Sequence, residues 1–360
     1  MIFQTNRKPT DLSVMIHLKK IGFVVFIIAI GAGVFAYLKY QAIFDPNVPD
    51  DLSEAYLYVP TDTDYEGIKR LLEEQNFLIN PESFEEVASL MKYDKNIIRP
   101  GRFEIKSGWS NRELIQHLRS GKQASVNLVL NNERLITEVA GKLSSFIEAD
   151  SVAILNSLQS PSLLEKLGLS SETIMTIFIP NTYRVYWNTT PDRLIERLIA
   201  ERDKFWSSDE RDEKREQLGL SREEVYTLAS IVEKETNYNP EKPNVAGVYL
   251  NRLKKDIALQ ADPTVVFANK DFSIRRVLNR HLEIDSPYNT YKYPGLPPGP
   301  IAMASISSID AVLQNKQHKY IYFCAKPDNS GQHAFAKNLS EHNANARKFQ
   351  KWLNKQRIYR

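Results

Sequence analysis

Residues 219–240 read GLSREEVYTLASIVEKETNYNP, and their spacing decides how the larger part of the chain is read. Ser221 followed by Glu224 has the spacing of a capping box, and Asn237–Pro240 supplies a stop. At about 100° per residue, Val225, Leu228, Ile231 and Val232 form one stripe, and Glu235 falls about 20° from its centre. Glu233 lies on another face. A carboxylate set in an apolar stripe, at the negative end of a helix dipole, is driven toward its neutral form by both surroundings. That is the state a general acid holds at neutral pH. A helix that leaves the core in its last turn, with Glu235 neutralised by a basic neighbour, would show the same pattern, and the pattern alone leaves both readings open.

Outward from this helix, Asn244–Lys255 reads as another helix, bearing Asn251 and Arg252, followed by LQADPTVVFA over 259–268. Arg252 is either a surface cation or a group that orients a carboxylate. Gln260, Asp262 and Thr264 form a polar cluster ahead of a strand-like VVFA, and Asp262 before Pro263 is a turn residue or a catalytic one. The run SPYNTYKYPGLPPGPI (286–301) predicts a rigid loop without continuous secondary structure. In it Tyr288, Asn289, Thr290 and Tyr291 either bind hydroxyl and acetamido groups or pack on one another. Tyr183, Tyr186 and Trp187 in the aromatic loop FIPNTYRVYW (178–187) serve core packing or sugar stacking equally well. His333, Asn338, His342 and Asn343 sit in polar surroundings near the end; the histidines lack metal-ligand spacing, so neither metal nor cofactor is assigned. No phosphate loop, dinucleotide fingerprint or serine elbow is present.

The chain has 360 residues, enough for two domains, and a net charge of +3 that gives no case for nucleic acid. Cys324 is its one cysteine, in the apolar run YIYFCA, so intrachain disulfides are excluded. IGFVVFIIAIGAGVFAYL (21–38) is an uncharged apolar run at the lower end of membrane-spanning length. Arg7, Lys8, Lys19 and Lys20 precede it, whereas Asp45, Asp50, Asp51 and Glu54 follow, which predicts a cytoplasmic amino terminus and an external remainder. A retained single-pass anchor is favoured over a cleaved signal, because no small-x-small site follows.

DPNVPDDLS (45–53) reads as a short linker. Beyond it, Ala55–Val59 and Gly101–Ile105 read as strands. Asp64–Gln75, Pro81–Lys92 and Trp109–Arg119 read as helices, the last capped by Ser110 and closed by Gly121. Together they predict a compact α+β module. Ala124–Leu130 opens the larger part as a strand, followed by helices over Leu135–Ile147, Ser151–Leu158 and Pro191–Ser207.

Taken together, IVEKET (231–236), LQADPTV (259–265), YNTY (288–291) with GLPPGPI (295–301), and HAFAKNLSEHN (333–343) resemble, in order and spacing, the motifs of the YceG-like endolytic murein transglycosylases. The resemblance spans roughly residues 20–350. It implies an α+β protein with a single transmembrane helix: a cytoplasmic tail (1–20), the helix (21–38), a linker (39–52), a LysM-like module (53–124) and a YceG-like catalytic domain (125–360). It also implies an enzyme of the bacterial inner membrane with an extracytoplasmic, periplasmic catalytic domain. Such an enzyme cleaves peptidoglycan glycan strands to 1,6-anhydro-N-acetylmuramyl ends, with cell-wall synthases as candidate partners. The family's catalytic glutamate corresponds to Glu235, with Glu233 as fallback. Asn251, Gln260, Tyr288 and Asn289 are candidates for positioning substrate, with Arg252 and Asp262 in support. Asn181 stands where many relatives carry an acid, a departure that weakens the case for this loop supplying a charge and leaves the Glu235 assignment untouched. A single carboxyl group suffices if the sugar's own C6 hydroxyl replaces water as nucleophile. A muramidase-type hydrolase, with Asp262 or Glu233 as second carboxylate, and a non-catalytic glycan-binding scaffold are the alternatives.

Overall fold

The computed structural model describes residues 11–52, 54–131, 133–314 and 316–356. Arg7 and Lys8 of the tail, and Ser53 at the expected start of the small module, lie outside the described residues. The chain divides at Ser125/Val126 into two compact units.

In the first unit, helix α1 (Asp11–Phe44) has 34 residues, about 50 Å at 1.5 Å per residue. Its stretch Met15–Phe44 is long and apolar enough to cross a membrane, and its most apolar window is nowhere buried. Strand β1 (Tyr56–Val59) pairs antiparallel with β2 (Gly101–Glu104), Tyr56 opposite Glu104 and Val59 opposite Gly101. Between the strands run α2 (Tyr65–Glu74) and α3 (Pro81–Leu90), and α4 (Asn111–Ser120) follows. Side-chain caps define each start: Asp64 accepts from the Gly67 N–H, Asn80 from the Ser83 N–H, and Ser110 forms a full capping box with Glu113. Gly121 ends α4 at φ 67°, a left-handed conformation that glycine adopts without strain. Leu57, Val59, Phe77, Phe84, Tyr93, Phe103 and Leu118 fill the core, each large side chain contributing about 1.5–3 kcal/mol by burial. The segment expected to act as a linker is built into this unit. Val48 is buried, and buried Asn47 donates to Asn111 Oδ1 (2.6 Å) and accepts from the Asn80 N–H (2.7 Å).

The second unit begins with β3 (Val126–Leu130), antiparallel to β4 (Asn181–Val185), so residues expected in an aromatic loop form a strand instead. Alternation explains it: Tyr183 and Val185 point inward, and neighbouring Thr182 and Arg184 point out. Helices α5 (Ile136–Ser144), α6 (Ser151–Leu158) and α7 (Pro161–Leu167) lie between these strands, followed after β4 by α8 (Pro191–Ser207) and α9 (Arg211–Leu218). At the centre stands α10 (Arg222–Glu235), buried along Val225–Val232 and packed against three later helices, α11 (Lys242–Leu253), α12 (Asp262–Asn269) and α14 (Ile306–Leu313). The short α13 (Asn279–Leu282) separates α12 from the 286–301 loop. Strands β5 (Tyr322–Ala325) and β6 (His333–Ala336) form an antiparallel hairpin, with Cys324 a free, partly buried thiol on β5, and α15 (Leu339–Lys355) ends the fold.

VVFA is therefore helical, not a strand. Pro263 in the first turn has φ preset and needs no N–H partner, Asp262 beside it favours the positive end of the helix dipole, and these start signals outweigh the β-branched pair Val265–Val266. Pro243 likewise starts α11 at Lys242, earlier than the expected Asn244.

Candidate active site

The capping box of Ser221 and Glu224 sets the start of α10, and its apolar stripe then carries Glu235 to the last helical residue. Alongside, α11 presents Tyr249, whose hydroxyl donates to Glu235 Oε1 at 2.5 Å. Burial raises the Glu235 carboxyl to about 7; the Tyr249 bond opposes the rise and the negative charge of Asp262 adds to it. Burial and the Glu235 charge together drive Tyr249 far above an ordinary phenol, so it stays a proton donor. Glu235 is thus balanced near neutrality at the edge of an open cleft.

Two cavities meet at Glu235 and Asp262. The first, of about 270 Å³, is lined by Arg134, Lys234, Phe267, Phe272 and Arg275 among others. The second, of about 430 Å³, is lined by Tyr249, Gln260, Tyr291, Tyr322, Phe323 and Asn343 among others. Both are open to solvent, so the carboxyl pair sits between two lobes of one groove.

Asp262 is held by long-range clamps. Tyr291 donates to its Oδ1 at 2.6 Å. Buried Thr290 accepts from the Ala261 N–H (3.0 Å), bonds Thr264 Oγ1 (2.8 Å), and takes the Gln260 N–H on its carbonyl (3.1 Å). Asn289, fully buried, donates to the Leu282 and Ile284 carbonyls and accepts from the Tyr291 N–H. The tyrosine-rich loop therefore fixes the turn that carries Asp262.

The remaining candidates divide between groove and scaffold. Glu233 points away from the groove. Burial raises its carboxyl, but donation from Ser305, Ser308 and Lys242 outweighs that and holds it below the ordinary range. An ionised carboxylate that accepts three donors on Oε2 is unsuited to donate a proton. Asn251 donates to the His318 and Tyr320 carbonyls, and Arg252 to the carbonyls of Ile321, Ala258 and Leu259 and to Gln260 Oε1. These two side chains stitch the β5 segment and the Gln260 turn to α11. Gln260 itself is exposed in the second lobe at φ 50°. Tyr288 packs on Phe267, with ring centroids 4.7 Å apart.

Tyr183 is buried and its hydroxyl donates to the Ile179 carbonyl, whereas Tyr186 is exposed. His333 pairs with Glu241 (2.9 Å), and Asn338 caps α15. His342 stacks on Tyr322 in the second lobe. Among the described residues, no group of three His, Cys, Asp or Glu side chains is arranged to hold a metal ion.

Sequence reasoning passed over Tyr249, Arg134 and Lys234. A tyrosine within the buried stretch Val245–Leu250 of α11 was the available signal, since a buried hydroxyl requires a partner.

Residues 57–348 match the profile of the YceG-like family. The chain belongs to that family. It is 28% identical over 334 residues to a Bacillus subtilis protein named endolytic murein transglycosylase, covering 87% of this chain and 90% of the relative. A Streptococcus pneumoniae protein of the same name is 26% identical over 90% of this chain, which spans 64% of that longer protein. Among solved structures, a YceG-like protein of Listeria monocytogenes is 25% identical and aligns over 80% of this chain and 97% of its own, with a TM-score of 0.55.

Proposed function

We propose that this YceG-like chain is a membrane-anchored lytic transglycosylase that cuts murein glycan strands internally, with Glu235 as the single acid and base. The observation that carries the reading is a carboxyl raised to about 7 where the two open lobes meet. An internal cut needs strand on both sides of the acid, which two lobes accommodate. Protonated Glu235 gives its proton to the glycosidic oxygen as the muramyl C1–O bond breaks. Positive charge develops at the sugar ring, where Asp262, oriented by Tyr291, stabilises it. The C6 hydroxyl then attacks C1, and its proton passes to Glu235, restoring the acid with no water consumed.

A muramidase-type hydrolase is the second reading. The Asp262 carboxylate lining both cavities beside Glu235 favours it, since a second carboxylate can activate water. Product mass decides between the two. Strands digested by the purified protein should end in anhydro sugars, each lighter by one water than a hydrolytic end. A predominance of reducing ends would replace the transglycosylase with the hydrolase, and uncut strands would leave a binding scaffold.

We also infer that α1 anchors the chain with the catalytic unit outside the cytoplasm and that the first unit is LysM-like and binds glycan. A helix whose most apolar window is unburied supports the first, and the charge asymmetry around it supports the orientation. The strand–helix–helix–strand order supports the second, along with a cavity of about 710 Å³ between the loops 61–66 and 94–100. Two experiments test these inferences. Protease added to intact protoplasts should digest the chain beyond α1, and ectodomain carrying Thr63→Trp in that cavity should bind glycan strands more weakly than the unaltered ectodomain. Protection from protease would reverse the orientation, and unchanged binding would remove the module's role.

A further inference from the structure

The two lobes of the groove differ in charge, and the difference is not used by the chemistry at Glu235. Arg134, Lys234 and Arg275 line the first lobe. Among the described residues, none of the three has a carboxylate at ion-pair distance, although most other cations of this unit that approach the core are paired or bonded. Arg134 lies over the Phe272 ring at 4.7 Å, which holds the guanidinium on the wall of the lobe. Lys234 is partly desolvated and repelled by Arg134, so its ammonium is held below its ordinary range. Neither cation contributes to the state of Glu235, which responds to burial, Tyr249 and Asp262. In the second lobe, Arg252 spends its donors on carbonyls, and the other lining groups are mainly aromatic or neutral polar.

Glu233 and Glu138 attract Lys234 only from beyond ion-pair distance, and burial and Arg134 outweigh them, so adjacent like charges on this cavity wall are stabilised by an anion bound against them. On the proposed substrate the sugars are uncharged wherever the muramyl lactyl group is amide-linked, and the free carboxylates belong to the stem peptides. Resting on the function proposed above, we propose that the Arg134–Lys234–Arg275 lobe binds carboxylates of the stem peptide carried by a muramyl residue seated next to Glu235. The second lobe takes the glycan itself, its Tyr322, Phe323, Gln260 and Asn343 suiting sugar faces and hydroxyls. The enzyme thereby prefers strands that still carry acidic peptides.

Equilibrium binding tests this apart from catalysis. Full-length protein carrying Glu235→Gln, so that nothing is cut, is titrated with fluorescent strands bearing intact stem peptides. A second titration uses strands whose peptide carboxylates have been amidated with carbodiimide and ethanolamine. Intact strands should bind about tenfold more tightly, the lower end of what one charge-assisted hydrogen bond contributes. Adding salt should erase the difference. Arg275→Gln, at an exposed position, and Arg134→Gln should each weaken intact strands while leaving amidated strands unchanged. Equal affinity for the two strands in the unaltered lobe overturns the proposal without reference to any variant's folding. Equal weakening of both strands by the two arginine variants also overturns it, assigning the lobe to the glycan. Because cleavage does not enter this measurement, its failure is distinct from failure of the transglycosylase reading, which product mass reports.

Discussion

Glu235→Gln should lower strand cleavage by about 100- to 10,000-fold, because the amide keeps the size of the side chain and its acceptor for Tyr249 but has no proton to give. The fold should survive and gain. The buried carboxyl titrates near 7 rather than 4.5, so the unfolded chain releases its proton first, and the native state loses stability between those pH values. Above pH 7 the penalty is about 3 kcal/mol, which the amide removes; at pH 4 both proteins carry a neutral group and should melt alike. The active protein works with Glu235 protonated, so its rate should fall as pH rises through about 7. Tyr249→Phe removes a donor that favours the ionised form, so that alkaline limb should move to higher pH, with a rate loss of about tenfold. A profile unmoved by Tyr249→Phe would separate the tyrosine from the acid. Full activity in Glu235→Gln would move the catalytic assignment elsewhere.

Loss of stability, rather than chemistry, is the expected result at the neighbouring acid. Lys242 is 3% exposed, and its ammonium lies 2.9 Å from Glu233 Oε2. Glu233→Ala leaves that cation buried beside Ser305 and Ser307 without a counter-charge, and should cost about 3–5 kcal/mol. Lys242→Met should cost a similar amount by stranding the carboxylate, and the double change to two apolar side chains should recover most of the loss. The pH dependence runs opposite to that of Glu235. A carboxyl held below 4.5 in the fold stabilises the native state above that value, and the contribution disappears as pH falls through the lowered folded value. Urea midpoints of the single and double variants measure all of this. A Glu233→Ala protein as stable as the parent, yet inactive, would return Glu233 to the groove as a reacting group.

The elements that carry these expectations were legible to different degrees. Helix α10, its capping box and the separate faces of Glu233 and Glu235 follow from a 3.6-residue period over fourteen residues. The long apolar helix and the caps at Asp64, Asn80 and Ser110 are likewise local patterns. The same local reading failed at VVFA and at NTYRV, where a proline start signal and a distant partner strand, β3, outweighed the immediate composition. Asn251, Arg252 and Asn289 are polar residues beside reactive motifs, and nothing in their spacing distinguishes a hand held out to substrate from one that clamps a carbonyl.

By itself, then, the sequence determined the long apolar helix, the small strand–helix module, the buried helix and the face on which its terminal glutamate lies, because each depends on residues a few positions apart. Tertiary structure alone decided that Tyr249, Asp262 and Tyr291 gather at Glu235, that Lys242, Ser305 and Ser308 hold Glu233 as an ionised carboxylate, and that Arg134, Lys234 and Arg275 line one lobe with no carboxylate at ion-pair distance among the described residues. The physical reason is that burial and hydrogen-bond partners shift a carboxyl's proton affinity. Those partners come from segments as much as 75 residues away, as with Ser308 and Glu233, a distance over which sequence periodicity carries no information.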